Sequence, residues 1–112
     1  MQKTNTLFKL ALCQLKVTSS KSHNLQRARE MVTEAANSGA DVIMLPEIFV
    51  CPYMKEHMLR HKEFADEDNH GETYSLLKEL AITTNKWIIG GSMPEAIKDS
   101  EKIYNTMLVF DR

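Results

Sequence analysis

Cysteine is scarce in this sequence: Cys13 and Cys51 are the only two in 112 residues. Two thiols so far apart exclude a multi-bridge disulfide scaffold and match no zinc or redox spacing. One bridge between them stays arithmetically open, but nothing asks for it, and the reading is a reduced, cytoplasmic protein. Four glycines and three prolines are too few for a fibrous or low-complexity chain. No apolar run approaches the ~20 residues that a membrane helix needs, so no membrane association is expected. The opening "MQKTNTLFKL" has neither the apolar core nor the small-residue cleavage pattern of a signal peptide. One-signed charge is missing too. The 14 Lys and Arg are balanced by 15 Asp and Glu and are spread along the chain, so no face is expected to bind nucleic acid. What is present, 43% hydrophobic residues and a formal net charge of -1, is the composition of one globular unit over residues 1–112.

Periodicity divides that unit. "LFKLALCQLKV" (7–17) is nearly all apolar and reads as a buried strand. The period then changes. Leu25, Ala28, Val32, Ala35 and Ala36 fall on one helical face, with Ser22 or Asn24 suited to cap its start and Gly39 its end. "VIML" (42–45) is a second strand, so the chain opens strand–helix–strand, the order of a parallel pair with a crossover. A short helix is expected within 53–64, an acidic loop follows in "ADEDNHGE", and a second long helix lies in "TYSLLKELAITTN" with Tyr74, Leu77 and Ala81 on one face. "KWIIGGSMP" reads as one strand ended by Gly-Gly and Pro94. "EAIKDSE" is a polar connector, and "KIYNTMLVFDR" is a closing strand. About four strands and two to three helices in this order make the class α/β. Two real helices would leave one face of such a sheet bare. The reading preferred is therefore the first part of a larger domain rather than a small complete one.

The candidate chemistry begins in "DVIMLPEIF" (41–49). Ligands of α/β sheets collect beyond the carboxyl ends of strands, and Glu47 stands there. Pro46 constrains Leu45 to extended geometry and fixes the exit of the strand. A solvent-facing loop glutamate is the commoner explanation by pattern alone. Cys51, four residues on, could pair with Glu47 as a nucleophile, but packing is the better reading, and Cys13 is a small hydrophobe within its strand. His57 and His61 would share a helical face, yet Met58 stands where the metalloprotease pattern needs Glu. Asp66, Asp68 and Gly71 imitate the start of a calcium loop, but Leu77 takes the place of the closing glutamate. No metal is expected. "IIGGS" (88–92) lacks the spacing of a phosphate loop and reads as a close backbone approach at a strand end. Asn105 is polar within an apolar strand, either paired in the core or aimed into a site.

"DVIMLPEIFVCPY", "WIIGGSMPE" and "KIYNTMLVFDR", in that order and at that spacing, resemble the N-terminal part of the nitrilase superfamily, and within it the omega-amidase branch. "FKLALCQLKV", "NLQRARE" and "AANSGAD" fit the same start, so the resemblance covers nearly the whole chain. It implies part of an α-β-β-α sandwich, a homo-oligomer, and cleavage of a carbon–nitrogen bond by Glu, Lys and Cys with no cofactor. The substrate class would be small ω-monoamides. Glu47 matches the general base, and Phe49 and Tyr53 match the segment that walls the substrate pocket. Neither Cys51 nor Lys102 matches the family's nucleophile or lysine, so the 112 residues alone are expected to be inactive. Two rivals stand beside this reading. One is a non-catalytic half-sandwich interaction module, and the other is a flavodoxin-like domain for a small ligand.

Overall fold

Three short apolar segments, Leu10–Leu12 (β1), Val42–Met44 (β2) and Trp87–Ile89 (β3), lie side by side as parallel strands. The structure, a computed structural model, describes residues 6–112. A fourth strand, Val109–Phe110 (β6), joins β3 antiparallel, so the sheet order is β1-β2-β3-β6. Two helices, Lys21–Asn37 (α1) and Glu72–Thr84 (α3), pack on this sheet and on each other. The α1 stripe Leu25, Ala28 and Val32 and the α3 residues Leu76, Leu77, Leu80 and Ala81 are buried together with Ile43 and Ile88. Register explains which side chains meet them. Ala11, Ile43, Ile88 and Phe110 form one cross-strand row on the covered face.

The next row points the other way, as the two-residue period of a strand requires. There Leu12 is 66% exposed and Val109 53%, with Met44 and Ile89 between them. Leu10 and Trp87 are open on the same side. Strands apolar on both sides are built for cover on both faces, and among the described residues only one face has it. The chain thus shows one α layer and one β layer of the expected sandwich, with the bare face that the helix count implied.

A second unit is a hairpin, Met93–Ala96 (β4) paired with Ile103–Thr106 (β5). The short helix Lys55–His61 (α2) packs beside it. Here the expectations need correcting. The strand in "KWIIGGSMP" ends at Gly-Gly as read, but Pro94 is no stop. Gly90 and Gly91 turn the chain out of the first sheet, and a new strand starts at Met93 and runs through Pro94. Glu95 and Ala96 belong to that strand instead of to the connector. "KIYNTMLVFDR" is likewise two strands, β5 in the hairpin and β6 in the main sheet. The first strand is also shorter than expected and half exposed, because it lies at the sheet edge and its outer face is open. Ser20 caps α1, its side chain accepting from the His23 amide, in place of Ser22 or Asn24. Gly39, at φ +91°, ends the helix as read. The strands β1, β2 and β3 follow one another in sequence order without a reversal, and β6 runs antiparallel. Among the described residues the topological switch point of a flavodoxin-like sheet is therefore missing.

Candidate active site

Leu45 is the last sheet-bonded residue after β2, its amide donating to the Ile89 carbonyl at 2.9 Å. Pro46 cannot donate a ladder bond, and the chain turns over residues 47–50. Glu47 stands at the head of this turn and is exposed. The turn's other residues are the reverse: Ile48, Phe49 and Val50 are buried, as is Cys51 after them. This root fixes the loop from below. Asn24, wholly buried on α1, donates from Nδ2 to the Val50 carbonyl at 2.9 Å and to the Thr18 carbonyl at 2.7 Å.

The backbone on either side of Glu47 is held by the segment after β3. The Ser92 amide donates to the Pro46 carbonyl at 3.3 Å, and the Ile48 amide donates to Ser92 Oγ at 2.9 Å. Between them Ile48 adopts φ +45°. A β-branched residue rarely enters that region, and such strain persists only where neighbours enforce it. Gly91 makes the approach possible. Its φ is +59°, and a Cβ there would meet the Pro46 carbonyl and lie 2.8 Å from the Leu45 oxygen. The close backbone approach expected of "IIGGS" is this one.

The carboxylate has two donors. Asn105 Nδ2 reaches Glu47 Oε1 at 2.8 Å, and the Tyr53 hydroxyl donates to the same oxygen at 3.1 Å. That bond and the carboxylate's charge push the Tyr53 phenol above its usual range and keep it a donor. Glu47 and Asn105 border a cleft of about 450 Å³ whose other walls are Met44, Leu45, Pro46, Gly91, Ser92 and Met107. No second charged side chain lines it among the described residues.

Other candidates fall elsewhere. Phe49 is fully buried in the core and does not line this cleft, whereas Tyr53 is 63% exposed and touches Glu47. Cys51 is fully buried, and burial raises its thiol pKa, as it does for Cys13; both behave as packing residues. His57 and His61 share α2, and no group of three ligating side chains that could hold a metal ion occurs among the described residues. A larger cleft of about 860 Å³, edged by Lys55, Lys62 and Lys102, lies between α2 and the β4–β5 loop; neither Glu47 nor any residue bonded to it is part of it. Sequence reasoning left Asn105 open between core and site, and the structure puts it on Glu47. It missed Ser92 and the strained Ile48. A serine after Gly-Gly carries a weak hint, but an isoleucine at positive φ gives none.

Residues 9–112 match the carbon-nitrogen hydrolase family model. The chain belongs to the carbon-nitrogen hydrolase family. It is 44% identical to the omega-amidase NIT2 of Mus musculus over 92% of its own length and 35% of that protein's. With the omega-amidase NIT2 of Homo sapiens it shares 43% identity over 94% of its length and 36% of the relative's. The chain thus spans about a third of the length of these curated relatives. Among solved structures, Saccharomyces cerevisiae Nit3, a member of branch 10 of the nitrilase superfamily, superposes with a TM-score of 0.84 at 31% identity, over 93% of this chain and 40% of that one. An N-terminal amidase superposes at 0.71 and 22% identity, a likeness of fold alone. The α/β layers described above are therefore part of the nitrilase-superfamily fold.

Proposed function

We propose that this chain is the N-terminal portion of a single carbon–nitrogen hydrolase domain of the omega-amidase type, with Glu47 as its general base. The observation that carries the reading is the Glu47 carboxylate itself. It stands beyond the carboxyl end of β2, in a cleft, on a strained turn clamped on both sides, with two neutral donors. A solvent-facing loop glutamate has no need of that support. In the reaction the base takes the proton of a cysteine thiol, the thiolate attacks the amide carbon, and ammonia leaves to give a thioester that water hydrolyses. A lysine and a backbone N–H stabilise the oxyanion. By the family resemblance the lysine and the nucleophile lie beyond these 112 residues, so the segment alone is inactive. The substrate is a small ω-monoamide, the site needs no cofactor, and Tyr53 supports the Glu47 carboxylate beside the pocket. Phe49 supports the turn from beneath. The protein works as a cytoplasmic homo-oligomer.

The test is Glu47→Gln in the full-length protein that carries this segment. Glutamine keeps shape and hydrogen bonding but takes no proton. Steady-state ammonia release should fall by about 10²–10⁴-fold, the usual contribution of general-base catalysis, with the melting temperature little changed. Alkylation of the nucleophilic thiol should slow as well, while Glu56→Gln, on the exposed side of α2, should do neither. Near-normal turnover in Glu47→Gln would sink the assignment.

A further inference from the structure

We infer that Asn105 and Tyr53 are positioning residues that select which oxygen of Glu47 takes the proton. The inference rests on the general-base reading above and adds to it. Both donors converge on Oε1, from Asn105 Nδ2 at 2.8 Å and the Tyr53 hydroxyl at 3.1 Å. Oε2 has no hydrogen-bond partner among the described residues. A carboxylate oxygen that accepts two donors has most of its lone-pair capacity occupied. The partnerless oxygen is the one left to take the thiol proton.

The two donors come from unrelated places. Tyr53 follows Glu47 by six residues, whereas Asn105 arrives from β5, 58 residues away and in the other sheet. Together they restrain rotation of the carboxylate about its last bond, which the backbone clamp of Ser92 on Pro46 and Ile48 cannot do. Neither donor brings charge. A carboxamide also takes up no proton at neutral pH, so Asn105 cannot replace Glu47 as the base. Its influence passes through Glu47 or not at all.

That dependence supplies the test, in the full-length protein. Asn105→Leu removes the donor with little change in volume. We expect kcat to fall by about tenfold to a hundredfold, as for a misaligned reacting group, with KM within about twofold of wild type and the melting temperature preserved. In a Glu47→Gln background, already slow, the same substitution should cost less than about threefold. A residue that only supports the fold would cost the same factor in both backgrounds. Tyr53→Phe, which removes one exposed hydroxyl and threatens no packing, should follow the same pattern with a smaller loss, and it decides the matter if Asn105→Leu fails to fold. Full kcat in both single variants, or equal losses with and without Glu47, would overturn the positioning role while leaving the base assignment standing. Normal turnover in Glu47→Gln would remove both.

Discussion

Lys21 offers the sharpest test of how the site's surroundings are held. It opens α1, and its Nζ lies 2.9 Å from Glu63 Oε2 with side-chain exposures of 12% and 7%. Glu63 is also the external cap of α3. Gly71, at the N-cap, has no side chain to offer, and Glu63 Oε1 accepts the Thr73 amide at 3.0 Å while Oε2 accepts the Thr73 hydroxyl. Its backbone bonds Pro94 and Ala96 of β4. One buried carboxylate thus joins α1, α3 and the hairpin that delivers Asn105. Lys21→Met keeps the aliphatic stem and removes the charge. Breaking a buried pair from one side costs about 3–5 kcal/mol, because the remaining ion is left uncompensated. The two Thr73 donors and the positive end of α3 stay in place and offset part of that, so the lower figure, about 3 kcal/mol, is expected. Urea unfolding of the full-length protein measures it. The double variant Lys21→Met/Glu63→Gln should lose at least about 1 kcal/mol less than the sum of the single losses, since the two groups are coupled. Arg60→Ala, which breaks only the exposed Glu56 pair, should stay within about 0.5 kcal/mol of wild type. If Lys21→Met does the same, the pair is a bystander and the reasoning fails.

Two further outcomes follow from the backbone. Gly91→Ala places a Cβ against the Pro46 carbonyl at a φ of +59°; a stability loss of about 1–3 kcal/mol should accompany a turnover loss of about 10²-fold, read by melts and ammonia release, and a variant with wild-type values in both would show the clamp to be slack. The isolated 112 residues should associate through the open sheet face, where Leu10, Leu12, Trp87 and Val109 are exposed; sedimentation should show species larger than a monomer, Leu12→Lys/Trp87→Lys should shift them towards monomer, and a monodisperse wild-type monomer with a sharp melt would refute this.

The elements that could be read from the sequence are those whose signal is local. The α1 stripe at Leu25, Ala28 and Val32 repeats at helical spacing, and "VIML" followed by proline marks a strand and its exit. Glu47 could be placed for the same reason, because Pro46 sits beside it. What was misread depends on partners distant in sequence. "LFKLALCQLKV" carries apolar residues on both sides, which reads as burial on both sides; β1 is half exposed because nothing among residues 6–112 covers its outer face. Pro94 looked like a stop. It is a strand residue of the β4–β5 pair; on the other side β4 meets only the isolated bridge to Glu63, where Pro94 offers its carbonyl and needs no donor. The Lys21–Glu63–Thr73 network was invisible, since residues spaced by 42 and 10 positions leave no periodic trace.

The division of the last apolar run is what ties fold to site. Read as one strand, "KIYNTMLVF" would keep Asn105 in the same sheet as Phe110. In the structure β5 pairs with β4, and after Met107 the chain crosses to β3, where the Gly90 amide donates to the Leu108 carbonyl at 2.8 Å. A Cβ on Gly90 would lie 2.9 Å from that same oxygen, so the crossing needs a glycine at that point. Gly90 therefore admits the returning strand and Gly91 admits the Glu47 turn, one residue apart and on opposite neighbours. The hairpin that follows Gly91 brings a second donor, Asn105, from outside the first sheet onto Oε1. Among the described residues, this donor to the carboxylate and the Ser92 clamp on the backbone beside it both come from the chain after β3. The geometry of Glu47 thus depends on the segment after β3 and on the hairpin as well as on the LPE turn itself.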